Sequence, residues 1–172
     1  MEVFTQEHIF VREKYKTTKQ AENIFEYMNT TIPSDIMIKF IESMNYFFLA
    51  TSSKDGRVNV NFKGTQSKIL IKFLNKNKFI FPDFNGNGIL HSIGDIESNP
   101  HVGLLFIDFS KDIRIKVNGR AKVIDNKELI NSYLDLFDSF NYSKLIEVEI
   151  DYIIPNCSAN LNIVRNSILE LH

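Results

Sequence analysis

The feature that most constrains this chain is a change of hydrophobic period. Helical spacing near residue 40 gives way to alternation that returns in run after run as far as residue 155. The segment RVNVNFKG sets Val58, Val60 and Phe62 against Asn59, Asn61 and Lys63. The longer IRIKVNGRAKVI sets Ile113, Ile115, Val117, Gly119 and Ala121 against Arg114, Lys116, Asn118 and Arg120. Such alternation gives each face of a strand its own chemistry, so one side can build a core while the other meets solvent or a ligand.

The runs YFFLATSS, ILIKFLN, KFIFPDF, VGLLFIDF and KLIEVEIDYIIP bring the expected total to six or seven strands. Asp55-Gly56 supplies turn residues for a hairpin between the first two strands, and the short KNK link predicts a second. Pro82 has no ladder donor and marks a strand end or an irregular edge position. A regular βαβ alternation is absent. The expected fold is therefore mainly β with peripheral helices, an antiparallel sheet closed or half-closed into a barrel; an open α+β sandwich is the topological rival.

Three segments carry helical spacing. PSDIMIKFIESM gathers Ile36, Met37, Phe40, Ile41 and Met44 on one side, with Ser34 as its cap. KQAENIFEYM predicts a helix in a helical N-terminal extension at about residues 1–44. DNKELINSYLDLFDSF places Ile130, Leu134 and Phe137 in a stripe behind an Asp125/Glu128 capping pair. The segment from Asn156 to His172 has no assigned structure. At 172 residues the chain reads as one domain with a single sizeable core.

A formal net charge of -1 supplies no overall field for a nucleic acid backbone. The lone Cys157 excludes an intrachain disulfide and reads as a small buried residue before a reactive thiol. Histidines at 8, 91, 101 and 172 lack the clustering of a compact zinc site. The N-terminal MEVFTQEHIFVREKYK is not a signal sequence, and no stretch has the length of a membrane span, so a cytoplasmic protein without membrane or nucleic acid partners is expected.

One stretch asks for a ligand. In FPDFNGNGILHSIGDIESNP, Gly86 and Gly88 flank Asn87 just before Ile89, Ile93 and Ile96 begin helix-like spacing, with Ser92 in the first turn. Such a turn is either a steric solution or a place where backbone donors and a helix N-terminus receive a phosphate. Lys63 is either an edge lysine opposing aggregation or a point charge for that phosphate. Asn59 and Asn61 share its face, either solvated or offering amides to a heterocycle. Asp83 either caps the next turn or accepts from a polar ring. Arg114, Lys116 and Arg120 read first as a solvated face. His91 and His101 have no visible partner for proton transfer.

FFLATSSKDGRVNVNFKG, KFIFPDFNGNGILHSIGDIESNPHVGLLFIDF and IRIKVNGRAKV, in that order from about Phe47 to Val123 and with an echo at IIPNC, resemble the pyridoxamine 5'-phosphate oxidase-like, FMN-binding split-barrel family. The resemblance implies a split β-barrel and a homodimer with FMN at the subunit interface. It implies cofactor contacts at Asn61, Lys63 and Gly64, at Phe81, Pro82, Asp83, Asn87, Gly88 and Ser92, and at Asn118 and Arg120. Relatives commonly carry Arg or Lys where this chain has Gly88, often a second glycine where it has Thr65, and a CP-led C-terminal motif where it reads CSANLN.

The function so implied is an FMN-dependent oxidoreductase moving a hydride or electrons between a reduced nicotinamide donor and a small organic acceptor. The alternative is a noncatalytic flavin-binding or storage protein, or a relative that binds haem or a deazaflavin.

Overall fold

The structure, a computed structural model, describes residues 4–28, 32–66, 69–84, 87–133, 135–137, 142–156, 160–161, 163–164 and 166. Seven strands form one antiparallel sheet: β1 (Tyr46–Ser52), β2 (Val58–Gly64), β3 (Lys72–Asn75), β4 (Lys78–Phe84), β5 (His101–Asp108), β6 (Ile113–Ile124) and β7 (Tyr142–Asn156). Their order is β2-β1-β5-β6-β7-β4-β3, so β2 and β3 are the two edges of an open sheet, which is a split barrel rather than a closed one. Both expected hairpins form. Gly56, at φ 79°, carries the β1–β2 turn, where the Ser53 amide donates to the Arg57 carbonyl at 2.9 Å.

The sheet coils around an aromatic core. Phe47 of β1 meets Phe81 of β4 edge-on at 5.0 Å between ring centroids and Phe106 of β5 at 5.4 Å, although β1 and β4 share no ladder. Ile115, Val117 and Ala121 of β6 turn into this core as their alternation predicts. Strand β4 is buried on both faces: Phe79 and Phe81 join the main core, while Ile80 joins a second cluster with Ile124, Ile130, Phe137, Tyr142 and Leu145. Pro82 is buried opposite Leu145 of β7. On its other side β3 has already ended, its last pairing along β4 being at Ile80, so the missing donor falls at a local edge.

Strand β2 inverts the usual relation of chemistry to burial. Val58, Val60 and Phe62 are 74%, 62% and 63% exposed, whereas Asn59, Asn61 and Lys63 are half-buried on the concave side. Register explains this: Asn61 pairs with Leu49 and Lys63 with Phe47, both fully buried, so the polar set must share their face.

The helices α1 (Gln6–Lys14), α2 (Thr18–Met28), α3 (Asp35–Ser43), α4 (His91–Ser98) and α5 (Lys127–Asn131) are peripheral. In α3 the Ser34 hydroxyl accepts from the Met37 amide, and Met37, Phe40, Ile41 and Met44 face the core; Ile36 does not, standing 80% exposed about 100° from that stripe. Helix α5 is only five residues long, and its cap is Asn126, whose side chain accepts from the Leu129 amide, in place of Asp125. Leu134 lies outside the described residues. Helix α1 has no buried residue and so no apolar period to betray it; its start is held by Thr5 and His8, each side chain bonding the other's amide. Among the described residues no helix is long and apolar enough to cross a membrane.

Candidate functional site

The concave face of β2, the end of β4 and the segment leading into α4 enclose a cavity of about 320 Å³. Asn61, Lys63, Asp83, Asn87, Gly88 and Ser92, all predicted from sequence, share its lining. Three separate stretches supply them, and only coiling of the sheet brings β2 and β4 face to face.

Two polar contacts organise the cavity. Lys63 Nζ donates to Asp83 Oδ1 at 2.6 Å, with side chains 16% and 9% exposed. Asn61 Nδ2 donates to Ser92 Oγ at 2.6 Å, with Ser92 buried. Farther along β1 Thr51 Oγ1 donates to Asp95 Oδ2 at 2.7 Å, and at the strand end Asn99 Nδ2 donates to Ser52 Oγ at 2.8 Å. These contacts pin α4 across β1 and β2, while Ile96 buries its apolar side. The half-buried amide of Asn61 thus meets a hydroxyl rather than bulk water.

Backbone shapes the other wall. Gly88 has φ 80° with nothing near the place of a Cβ, and Leu90 at the N-cap has φ 54°. Asn87 Oδ1 accepts from the Ile89 amide, and no side chain caps α4. The amides of a helix's first turn have no intrahelical acceptor and carry the positive end of its dipole. The wall at Asn87 to Ile93 therefore offers donors without a formal charge. Asn85 and Gly86 lie outside the described residues.

Other predicted residues sit elsewhere. Phe81 is fully buried against Phe47, and Pro82 is enclosed beside it; both shape β4 beneath the cavity and do not line it. Gly64 lines a second cavity of about 340 Å³ with Tyr46, Phe62 and Thr65, and the Phe62 ring lies over its Cα. Burial, and then the negative charge of Asp108, holds the Tyr46 phenol above its ordinary range; it donates to the Ile107 carbonyl at 2.6 Å.

Asn118 and Arg120 lie on the convex face. Asn118 pairs with Gly103 and Tyr152, and its side-chain oxygen is buried without a hydrogen-bond partner among the described residues. Arg120 Nε donates to Asp151 at 3.3 Å. Within one chain these two residues are on the other side of the sheet from Lys63. His91 lines the first cavity, while His101 opens β5 opposite Arg120, so the two imidazoles belong to different surfaces. Cys157 lies outside the described residues. Among the described residues no group of three or more His, Cys, Asp or Glu side chains is disposed to hold a metal ion.

Two features escape sequence reading. Asp83 is neither a turn cap nor a free acceptor but the counter-ion of Lys63, and Thr51 is the buried partner of Asp95. No local pattern marks either pair, because the partners are 20 and 44 residues apart.

Comparison with known proteins agrees with this architecture. The pyridoxamine 5'-phosphate oxidase family profile matches residues 35–153. HupZ of group A Streptococcus superposes with a TM-score of 0.57 at 16% identity, over 72% of this chain and 94% of its own. An FMN-binding protein from Syntrophomonas wolfei gives 0.50 at 13% identity, over 86% and 97%. HutZ from Vibrio cholerae, described as a heme storage protein, gives 0.50 at 14% identity, over 70% and 92%. No curated protein matches the sequence significantly. With a profile spanning α3 to β7 and an open seven-stranded antiparallel sheet beneath it, the chain belongs to the pyridoxamine 5'-phosphate oxidase-like family of FMN-binding split barrels.

Proposed function

We propose that this chain is a flavin-binding protein that works as a homodimer and holds FMN, with binding and storage as its role in preference to substrate turnover. The observation carrying this reading is the cavity at Lys63, Asp83 and the start of α4, in a family of flavin-binding split barrels. Its residues suit the polar end of the ligand: amide donors from the first turn of α4, the Asn61–Ser92 pair, the Lys63 ammonium, and the open space beside Gly88. At about 320 Å³ it stands at the small end of the range for small-molecule sites, roughly 300–1,000 Å³. It therefore suits the ribityl phosphate, with the ring extending toward a surface that a second chain covers.

On the opposite face of β2 the exposed stripe of Val58, Val60 and Phe62, backed by Phe48, whose ring meets Phe62 at 5.8 Å, offers a seat for that second chain. An apolar row on an edge strand invites pairing with another copy. In such a dimer the convex-face Asn118, whose oxygen has no partner among the described residues, is a group a partner-bound flavin can meet.

Storage is favoured over turnover because four polar side chains of the lining are committed to one another, Lys63 with Asp83 and Asn61 with Ser92. They bind and orient; none is arranged as a proton donor or acceptor for a substrate. FMN would itself supply any two-electron chemistry, so an oxidoreductase using reduced nicotinamide and a small organic acceptor is the reading that activity would establish. Haem is the second ligand to test, because one structural neighbour is described as a heme storage protein and His91 offers an imidazole in the lining.

The experiment is purification without added cofactor, absorbance spectroscopy, and mass analysis of the released ligand. Stoichiometric FMN supports the reading. Repeated cofactor-free preparations that also fail to take up FMN end it, and steady oxidation of reduced nicotinamide with an acceptor would replace storage by catalysis.

A further inference from the structure

The cavity holds a contradiction for an anionic ligand. Among the described residues its permanent charges are one ammonium and one carboxylate, and these already neutralise each other at 2.6 Å. Asp83 is only 7% exposed, so water does little to screen it. A phosphate arriving at Lys63 must share the ammonium with Asp83 or take it, and either way a dianion sits beside a buried carboxylate. Like charges so placed, and a buried charge stripped of its partner, both oppose binding.

We propose that Asp83 is a built-in competitor for the phosphate seat on Lys63, and that it sets the preference of this site between phosphorylated and unphosphorylated flavin. This rests on the flavin reading above. The carboxylate is carried by β4, whose Phe79 and Phe81 are fully buried, and Lys63 by β2, in register with the buried Phe47. Neither backbone can withdraw without disturbing the core, so the competition is a fixed property of the fold. The ligand end favoured by this arrangement is a hydroxyl or other neutral donor and acceptor, which can join the Lys63–Asp83 pair without breaking it. A phosphate binds at a penalty that Asp83 alone imposes.

Asp83→Asn tests this. Flavin fluorescence titrations of the native chain and the variant give dissociation constants for FMN and for riboflavin, which lacks the anion. The expected result is FMN affinity raised by roughly tenfold or more, with riboflavin within about twofold. Equal changes for both ligands, or a loss for FMN relative to riboflavin, overturn the proposal.

If neither protein binds any flavin, the flavin reading fails by itself, and inorganic phosphate becomes the probe. A phosphate-dependent rise in melting temperature larger in Asp83→Asn than in the native chain supports competition, and equal responses overturn it. Should Asp83→Asn not fold, Lys63→Arg replaces it. The guanidinium fork can hold the carboxylate and a phosphate together, so FMN affinity should rise several-fold over riboflavin, and an unchanged ratio refutes the competitor role.

Discussion

Lys63 and Asp83 form a 2.6 Å ion pair between two strands that never hydrogen-bond to each other. Strand β2 is one edge of the open sheet and β4 lies next to the other, so the pair spans the split of the barrel at the mouth of its cavity. Below it, Phe47 and Phe81 make the corresponding apolar contact. An aromatic contact and a charged one thus bridge the split, and the charged one shares its atoms with the candidate ligand site.

Removing only the cation should therefore cost stability. Lys63→Ala leaves Asp83 buried without its partner, and the expected loss is about 3 kcal/mol. Replacing both residues with apolar ones, Lys63→Met with Asp83→Leu, should recover most of it. Urea unfolding midpoints of the two variants decide the matter, and equal losses in both would mean that the pair itself contributes little.

The exposed row on β2 predicts self-association. Phe62→Lys puts a charge in the apolar stripe at its largest side chain without touching the core, since Phe62 is 63% exposed. Sedimentation should find the native chain dimeric and the variant monomeric, with unchanged far-ultraviolet circular dichroism. A native monomer would remove the dimer from the proposed function.

Strand β6 crosses β7 closely at Gly119, where β7 carries a bulge and an added Cβ would run into the Glu149 carbonyl oxygen. The Glu149 backbone and the buried Val148 side chain leave little room to relax. Gly119→Ala should destabilise by ~2 kcal/mol or more, by the measure of overpacked cores. Thermal melting checks this; a variant as stable as the native chain would show that the two strands separate readily there.

Acid should weaken the β5–β6 turn. Burial pushes the Asp108 carboxyl up, but hydrogen bonds from Ser110 and Lys111, and then the Lys111 charge, outweigh it and hold the group below the ordinary carboxylate range. The unfolded chain therefore takes up this proton first as pH falls. The stabilisation is present above the unfolded carboxylate pKa, about 4, and is lost as pH drops through the folded value. Asp108→Asn should flatten the acid limb of stability against pH, measured by urea midpoints; an identical limb would assign acid sensitivity to other carboxylates.

Much of the fold could be read along the chain because alternation and turns are local. The β1–β2 hairpin follows from the Asp55-Gly56 turn, and the inward row of Ile115, Val117 and Ala121 from period alone. Where two faces compete, period fails: Val58, Val60 and Phe62 alternate as cleanly as any core strand, yet face outward. Helix α1, without an apolar stripe, left no periodic signal at all.

The candidate site divides in the same way. The amino-acid sequence by itself determined a count of six or seven strands, the antiparallel connections and the glycine-bearing entry to α4, because short-range stereochemistry dictates them. Only the tertiary structure decided that Lys63 meets Asp83, that Asn61 meets Ser92, and that Asn118 and Arg120 face away from both. Those relations depend on how far an open sheet coils before its edges approach, and side-chain packing across the whole core sets that curvature.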